Sequence, residues 1–196
     1  MMTQPQHSIP YPTTLGRFAL RMPLTLFRLG LGELLNLLRL MVLTTRGRKS
    51  GKARYAAVEY RRHGSKIYII SAWGGRPDWY QNLLTDPLVT IQLGREKVSA
   101  LADKVTDPAE AARALNLFRQ DAPARYDAVL GRLIEDEVSG SKLRDVSEQF
   151  TVVRLDIIGD EPLLPGLTAD LIWLWPVALV GLAVVIAAAK RTSSEK

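Results

Sequence analysis

The 196-residue sequence contains no cysteine, which excludes disulfides, thiol catalysis and cysteine-ligated metals. Histidine is almost as scarce. His7 lies in a polar stretch and His63 beside Gly64, neither with a second histidine at ligand spacing, so no histidine metal site is expected. Residues 1–14 (MMTQPQHSIPYPTT) lack a basic segment followed by an unbroken apolar run, so no secretory signal is read there and a mobile polar tail is expected. A complete Walker A loop is missing too. Gly47 to Lys52 is one residue short of it, and Ala53 stands where a magnesium-binding hydroxyl is needed, which excludes nucleotide hydrolysis on that motif. Acidic residues are in deficit, 20 against 26 Lys and Arg, and the net charge of +6 points to an anionic cofactor, a membrane surface or nucleic acid as partner.

What is present is organised around Leu40 to Arg54, LMVLTTRGRKSGKAR. Strand-forming residues run into five cations within nine positions (Arg46, Arg48, Lys49, Lys52 and Arg54), spaced by Gly47, Ser50 and Gly51. Glycines let backbone N–H groups approach a ligand while the side chains add positive charge, so the stretch reads as an anion cradle for phosphate or clustered carboxylates. A solvated basic hairpin turn is the plain alternative. Because the cations sit in one loop rather than along a stripe, nucleic acid ranks last among the partners.

Upstream, Leu15 to Leu38 is leucine-rich but punctuated by Arg17, Arg21, Arg28 and Glu33, too many charges for a membrane span. An amphipathic helix broken near Pro23 and at Gly30–Gly32 is expected, lying on anionic lipid, lining a cofactor groove or covering one end of a core. Downstream, strands are read over Arg54–Arg62, Lys66–Ala72, Leu88–Leu93, Lys97–Val105 and Phe150–Ile158 from period-two alternation and glycine turns. Helices are read after Asp78 as N-cap (WYQNLL), after Asp107-Pro108 to about Gln120, and over Ala124–Glu137. Short-spaced antiparallel strands with few helices give an α+β class, mainly β, built as a small closed or half-closed barrel.

An acidic, proline-containing linker is expected over 159–170. Leu171 to Ala189 is then 19 residues without a charge, bounded by Asp170 and Lys190-Arg191, with Trp173 and Trp175 near one end. That pattern reads as a C-terminal transmembrane helix followed by a basic tail, 190–196. The expected location is therefore the membrane, through a single-pass anchor, with the main domain in the cytoplasm.

Two segments jointly resemble the deazaflavin (coenzyme F420)-dependent nitroreductase and quinone reductase family. They are LTTRGRKSGKAR (Leu43 to Arg54) and SAWGGRPDWYQNLLTDPLVTIQLG (Ser71 to Gly94), and the likeness covers about Arg28 to Ile158. The resemblance implies a split β-barrel over 15–158 that binds coenzyme F420, a deazaflavin with a phosphate and a polyglutamate tail. By that likeness Arg48, Lys49, Ser50, Gly51 and Arg54 hold the phosphate and tail. Ser71, Ala72, Trp73, Trp79 and Asn82 border the deazaflavin ring, and Tyr126 loosely matches a substrate-pocket tyrosine with a part in catalysis. Trp73 departs from the lysine that some members carry there. The implied reaction is hydride transfer from reduced F420 to a lipophilic acceptor, a quinone or nitro compound, by a chain that could pair as a homodimer. The alternatives are an FMN-dependent reductase on the same barrel and a non-enzymatic, membrane-tethered barrel that binds an anionic cofactor or lipid.

Overall fold

The computed structural model describes residues 14–121, 151–177 and 179–181, with the side chains of 14–19 left aside. The elements in order are helices α1 (Thr14–Arg28) and α2 (Gly32–Leu37), strands β1 (Leu40–Arg46), β2 (Ala53–His63) and β3 (Lys66–Ser71), helix α3 (Asp78–Thr85), strands β4 (Leu88–Leu93) and β5 (Glu96–Lys104), helix α4 (Pro108–Asp121) and strand β6 (Thr151–Gly159). The expected helix over Ala124–Glu137 and the tail before Thr14 lie outside the described residues.

All six strands pair antiparallel and close a barrel in the order β1-β2-β3-β6-β5-β4. Closure comes from β1 against β4, with Val42 opposite Gln92 and Thr44 opposite Thr90. Alternation then sorts the side chains. Met41, Leu43, Val58, Ile67, Ile69, Val89, Ile91, Val98, Ala100, Val153 and Leu155 fill the interior, and Tyr80 and Leu83 of α3 pack into the same cluster. Outward residues are covered locally. Phe27 and Leu35 cover Val42 of β1, while Ala111, Ala114, Leu115 and Phe118 of α4 cover Tyr68 and Val152.

Asp107 starts α4 by accepting the backbone N–H groups of Ala109 and Glu110 at 3.0 and 3.2 Å, with Pro108 in the first turn, where its missing N–H costs nothing. Helix α1 runs through Pro23 without the break expected there. The interruption falls at Gly30, whose φ of +85° a side chain rarely adopts.

The expected C-terminal transmembrane helix is not found, and the fold is corrected to an α+β barrel without it. Among the described residues no helix is long and apolar enough to cross a membrane. The apolar run begins with turns at 170–173 and continues as helix at 174–177 and 179–181, with Leu174 N–H bonded to Leu171 O and Trp175 N–H to Ile172 O. Its start is tied to the end of α1. Arg28 grips Asp170 through two bonds of 2.8 and 2.7 Å, Leu171 N–H donates to Arg28 O at 3.0 Å, and the Trp175 indole donates to Leu29 O at 2.9 Å. The membrane as partner and the single-pass anchored location, both inferred from that run of charge-free residues, are withdrawn with it.

Before that tie, residues 160–170 cross the outside of β5 and β4. Ser99 Oγ donates to Glu161 O and accepts Leu163 N–H at 2.9 Å, Thr90 Oγ1 accepts Leu164 N–H at 2.9 Å, and the Leu164 side chain is buried.

Helix α4 is also held electrostatically. Glu110 receives Tyr68 Oη–H at 2.8 Å, Lys66 Nζ at 3.3 Å and Arg154 Nη1 at 3.3 Å. Burial works to raise the Glu110 carboxyl, but these donors outweigh it and hold its pKa below the ordinary value of 4.5. Burial and then Glu110 push the Tyr68 phenol up to about 12. A carboxyl with a depressed folded-state pKa contributes stability above its ordinary range and loses that contribution as pH falls through the folded value. Glu110→Gln is therefore expected to lower stability at pH 7 by about 1–3 kcal/mol. The deficit against the parent chain should shrink as pH falls below the ordinary carboxyl range, as read from urea midpoints at a series of pH values.

Candidate active site

Strand register brings the chemistry-bearing segments to one end of the barrel. Arg46 pairs with Ala53 where β1 turns into β2, and the antiparallel β1–β4 register carries the start of β4, and so the end of α3, to the same place. Ser71, at the exit of β3, pairs with Thr151 at the entry of β6 and lies on that end as well.

The basic loop itself is a closed turn. Gly47 N–H donates to Lys52 O at 2.9 Å, and Gly47 O accepts Ser50 N–H at 3.1 Å and Gly51 N–H at 2.7 Å. A Cβ on Gly47 would meet Ser50 Oγ at 3.0 Å and Lys52 O at 3.2 Å, so a side chain there would have to push these neighbours back by a few tenths of an ångström. Gly51 has a φ of +65° and open space around its Cα. Lys49, Ser50, Gly51 and Lys52 all face solvent.

Asn82 fastens α3 to this loop. It is 3 % exposed, its Nδ2 donates to Thr45 Oγ1 at 3.0 Å, and its Oδ1 accepts both the backbone N–H and Nη1 of Arg48 at 3.2 Å. Two acids at the ends of α3 complete the attachment. Asp78 pairs with Arg48 at 3.0 Å and Asp86 with Arg46 at 2.8 Å. Two of the five cations are thereby neutralised within the chain. Arg54 Nη2 reaches Ser50 Oγ at 3.3 Å, and among the described residues Lys49, Lys52 and Arg54 have no carboxylate partner. Three acid-free cations around an exposed glycine turn form a field that selects for anions.

The remaining expected site residues are dispersed around this end. Ser71 is buried and its hydroxyl donates to Gly74 O at 2.5 Å, shaping the turn that leads to α3. Trp73 is half-buried in that turn, with its carbonyl accepting Arg76 N–H at 3.2 Å. Ala72 packs with the cluster under α4 rather than toward the loop. Trp79 packs against the interior cluster, edge-on to Tyr80 with ring centroids 5.9 Å apart. Burial raises the Tyr80 phenol, with a Thr151 hydrogen bond acting the other way, so it is neutral at pH 7 and no base. Tyr126 lies outside the described residues.

Sequence reasoning missed Thr45, Asp78 and Asp86 as parts of this end of the barrel. Their signal was available: two acids eight positions apart, flanking a helix that follows an arginine-rich loop. Asp78 is also not the N-cap of α3, a position that falls to Pro77 in extended conformation.

The sequence profile of the F420H(2)-dependent quinone reductase family matches residues 26–136, more than half of the chain. The chain belongs to this family. Among curated proteins it is 31 % identical over 91 residues to F420H(2)-dependent quinone reductases of Mycobacterium tuberculosis, covering 44 % of this chain and 60 % of theirs. The chain thus spans three-fifths of the length of those relatives. Among solved structures, an F420-H2 dependent reductase aligns at a TM-score of 0.43 and 22 % identity over 60 % of this chain and 94 % of that one. A haem storage protein from Vibrio cholerae aligns at 0.46 and 14 % over 77 % and 98 %. Neither structural likeness bears on ligand or reaction.

For this member of the family, Asn82→Ala removes three hydrogen bonds and leaves the Thr45 hydroxyl buried without its partner. A loss of about 2–4 kcal/mol is expected. Amide exchange should accelerate at Arg48 and through the loop more than in β5 or β6.

Proposed function

We propose that this chain is an F420-dependent oxidoreductase that delivers hydride to a lipophilic acceptor, a quinone or a nitro compound, with cofactor binding carried by residues 15–158. The observation behind this reading is the cation group at the exposed turn, Lys49, Lys52 and Arg54, without a carboxylate partner among the described residues, within a chain of this family.

The donor set fits the coenzyme. A phosphate followed by a polyglutamate tail needs several positive charges in a row and backbone that can approach closely, and an exposed loop of Lys49, Ser50, Gly51, Lys52 and Arg54 offers both. When bound, the reduced deazaflavin supplies the hydride; the rest is binding and placement. Lys49, Lys52 and Arg54 take the anionic end, Ser50 adds a hydroxyl, and Asn82 holds Arg48 and the loop in register. Trp73 and Trp79, with Ser71 shaping their turn, border the ring, and Tyr126 is assigned to the acceptor pocket. Tyr80 and Leu83 fill the barrel beneath α3 and keep water from that side.

The test uses the full chain, titrated with coenzyme F420 and separately with FMN and followed by binding heat. Tight F420 binding is expected, with Lys49→Ala and Arg54→Ala each weakening it by roughly 10-fold or more, because each removes a charge-assisted contact. Turnover with reduced F420 and a soluble quinone or nitro compound should follow. Binding of FMN alone would keep the redox class and replace the cofactor. Binding of neither would overturn the reading.

A further inference from the structure

The geometry points to Asp78 as a specificity-determining residue of the anion site: a carboxylate that occupies Arg48 until a ligand rich in negative charge displaces it. This inference rests on the reading of the basic loop as an anion site, and it names what that loop discriminates.

Arg48 is the best-placed cation of the loop. Its side chain is 30 % exposed, and Asn82 Oδ1 fixes both its backbone N–H and its guanidinium. Yet its charge is already countered. Asp78 Oδ1 lies 3.0 Å from Nη1, and the Asp78 carbonyl accepts from the same nitrogen at 3.4 Å. The two partners differ sharply in how firmly they are held. The Asp78 side chain is 85 % exposed, and among the described residues nothing but Arg48 holds its carboxylate, whereas Asn82 is buried. An exposed carboxylate on a guanidinium is a weak, screened pair, readily exchanged for a better anion.

Asp78 therefore acts twice on an incoming ligand. It withholds one arginine, and it adds a negative charge to the loop at Arg48. A ligand with a single weak charge meets a loop of three cations and a repelling acid. A polyanion that already engages Lys49, Lys52 and Arg54 offers enough local negative charge to take Arg48 from Asp78 and recruit a fourth cation. The loop is thereby biased against small monoanions and toward phosphate joined to further carboxylates. Asp86 makes a suitable contrast, because it pairs with Arg46 at the other end of α3 and also accepts Leu88 N–H at 3.2 Å.

Pyrophosphate serves as the probe, titrated calorimetrically into the full chain at low salt, with coenzyme F420 as a second ligand. Asp78→Asn keeps a polar residue at the helix start and is expected to raise pyrophosphate affinity about 2- to 5-fold. No such gain is expected from Asp78→Asn in an Arg48→Ala background, nor from Asp86→Asn. Unchanged or weaker binding in Asp78→Asn overturns the inference. So does a gain that survives Arg48→Ala, or one matched by Asp86→Asn, since either would report net charge alone. Failure of the parent chain to bind F420 while the Arg48-dependent pyrophosphate gain persists would remove the proposed cofactor and leave the role of Asp78 standing. F420 binding with no Asp78 effect on either ligand would do the reverse.

Discussion

Closure of β1 against β4 is the constraint on which the rest of this structure depends. Strands β1 and β2 form a hairpin through the basic loop, and β4 and β5 form another through Gly94, with β3 and α3 between them in sequence. Only when Thr44 meets Thr90 does the segment that precedes β4 swing beside the loop that follows β1. That pairing carries Asn82 to Thr45 and Arg48, and it seats Tyr80 and Leu83 in the barrel interior. The basic loop, though its tip faces solvent, is thereby fastened to the barrel end, because its neighbour across the seam holds Arg48 by a buried amide.

Strands β4 and β5 were legible because each carries a period-two pattern and the two meet at a glycine turn, and one buried face is enough to set register in a closed sheet. The helix after Asp107-Pro108 was legible for a similar local reason, since its cap and its proline stand next to each other in the sequence. The cation cluster could be read as an anion site, but not which of its members remain available. That depends on Asp78 and Asp86, which are 30 and 40 residues away from their arginines and are placed by the β1–β4 pairing alone.

The apolar run after Asp170 misled for the opposite reason. Its composition carries every local sign of a membrane span, and nothing nearby announces that Leu171 and Trp175 bond to the carbonyls of Arg28 and Leu29, over 140 residues earlier. Composition reports what a segment could enter; it does not report what already holds it. Ala72 shows the same limit on a smaller scale, because its neighbour Ser71 shapes the turn while Ala72 itself packs beneath α4.

The tie between Arg28 and Asp170 also has a mechanical meaning. Every strand of the barrel lies within the stretch of chain that this contact closes into a ring, from the end of α1 to the start of the apolar run. Tension applied at Thr14 and Gly181, the outer limits of the described residues, would bear on the ion pair, the Leu171 bond and the Trp175 bond, which join the two segments that flank the barrel. None of these contacts belongs to the sheet, so parting them would cost the barrel no strand–strand hydrogen bond.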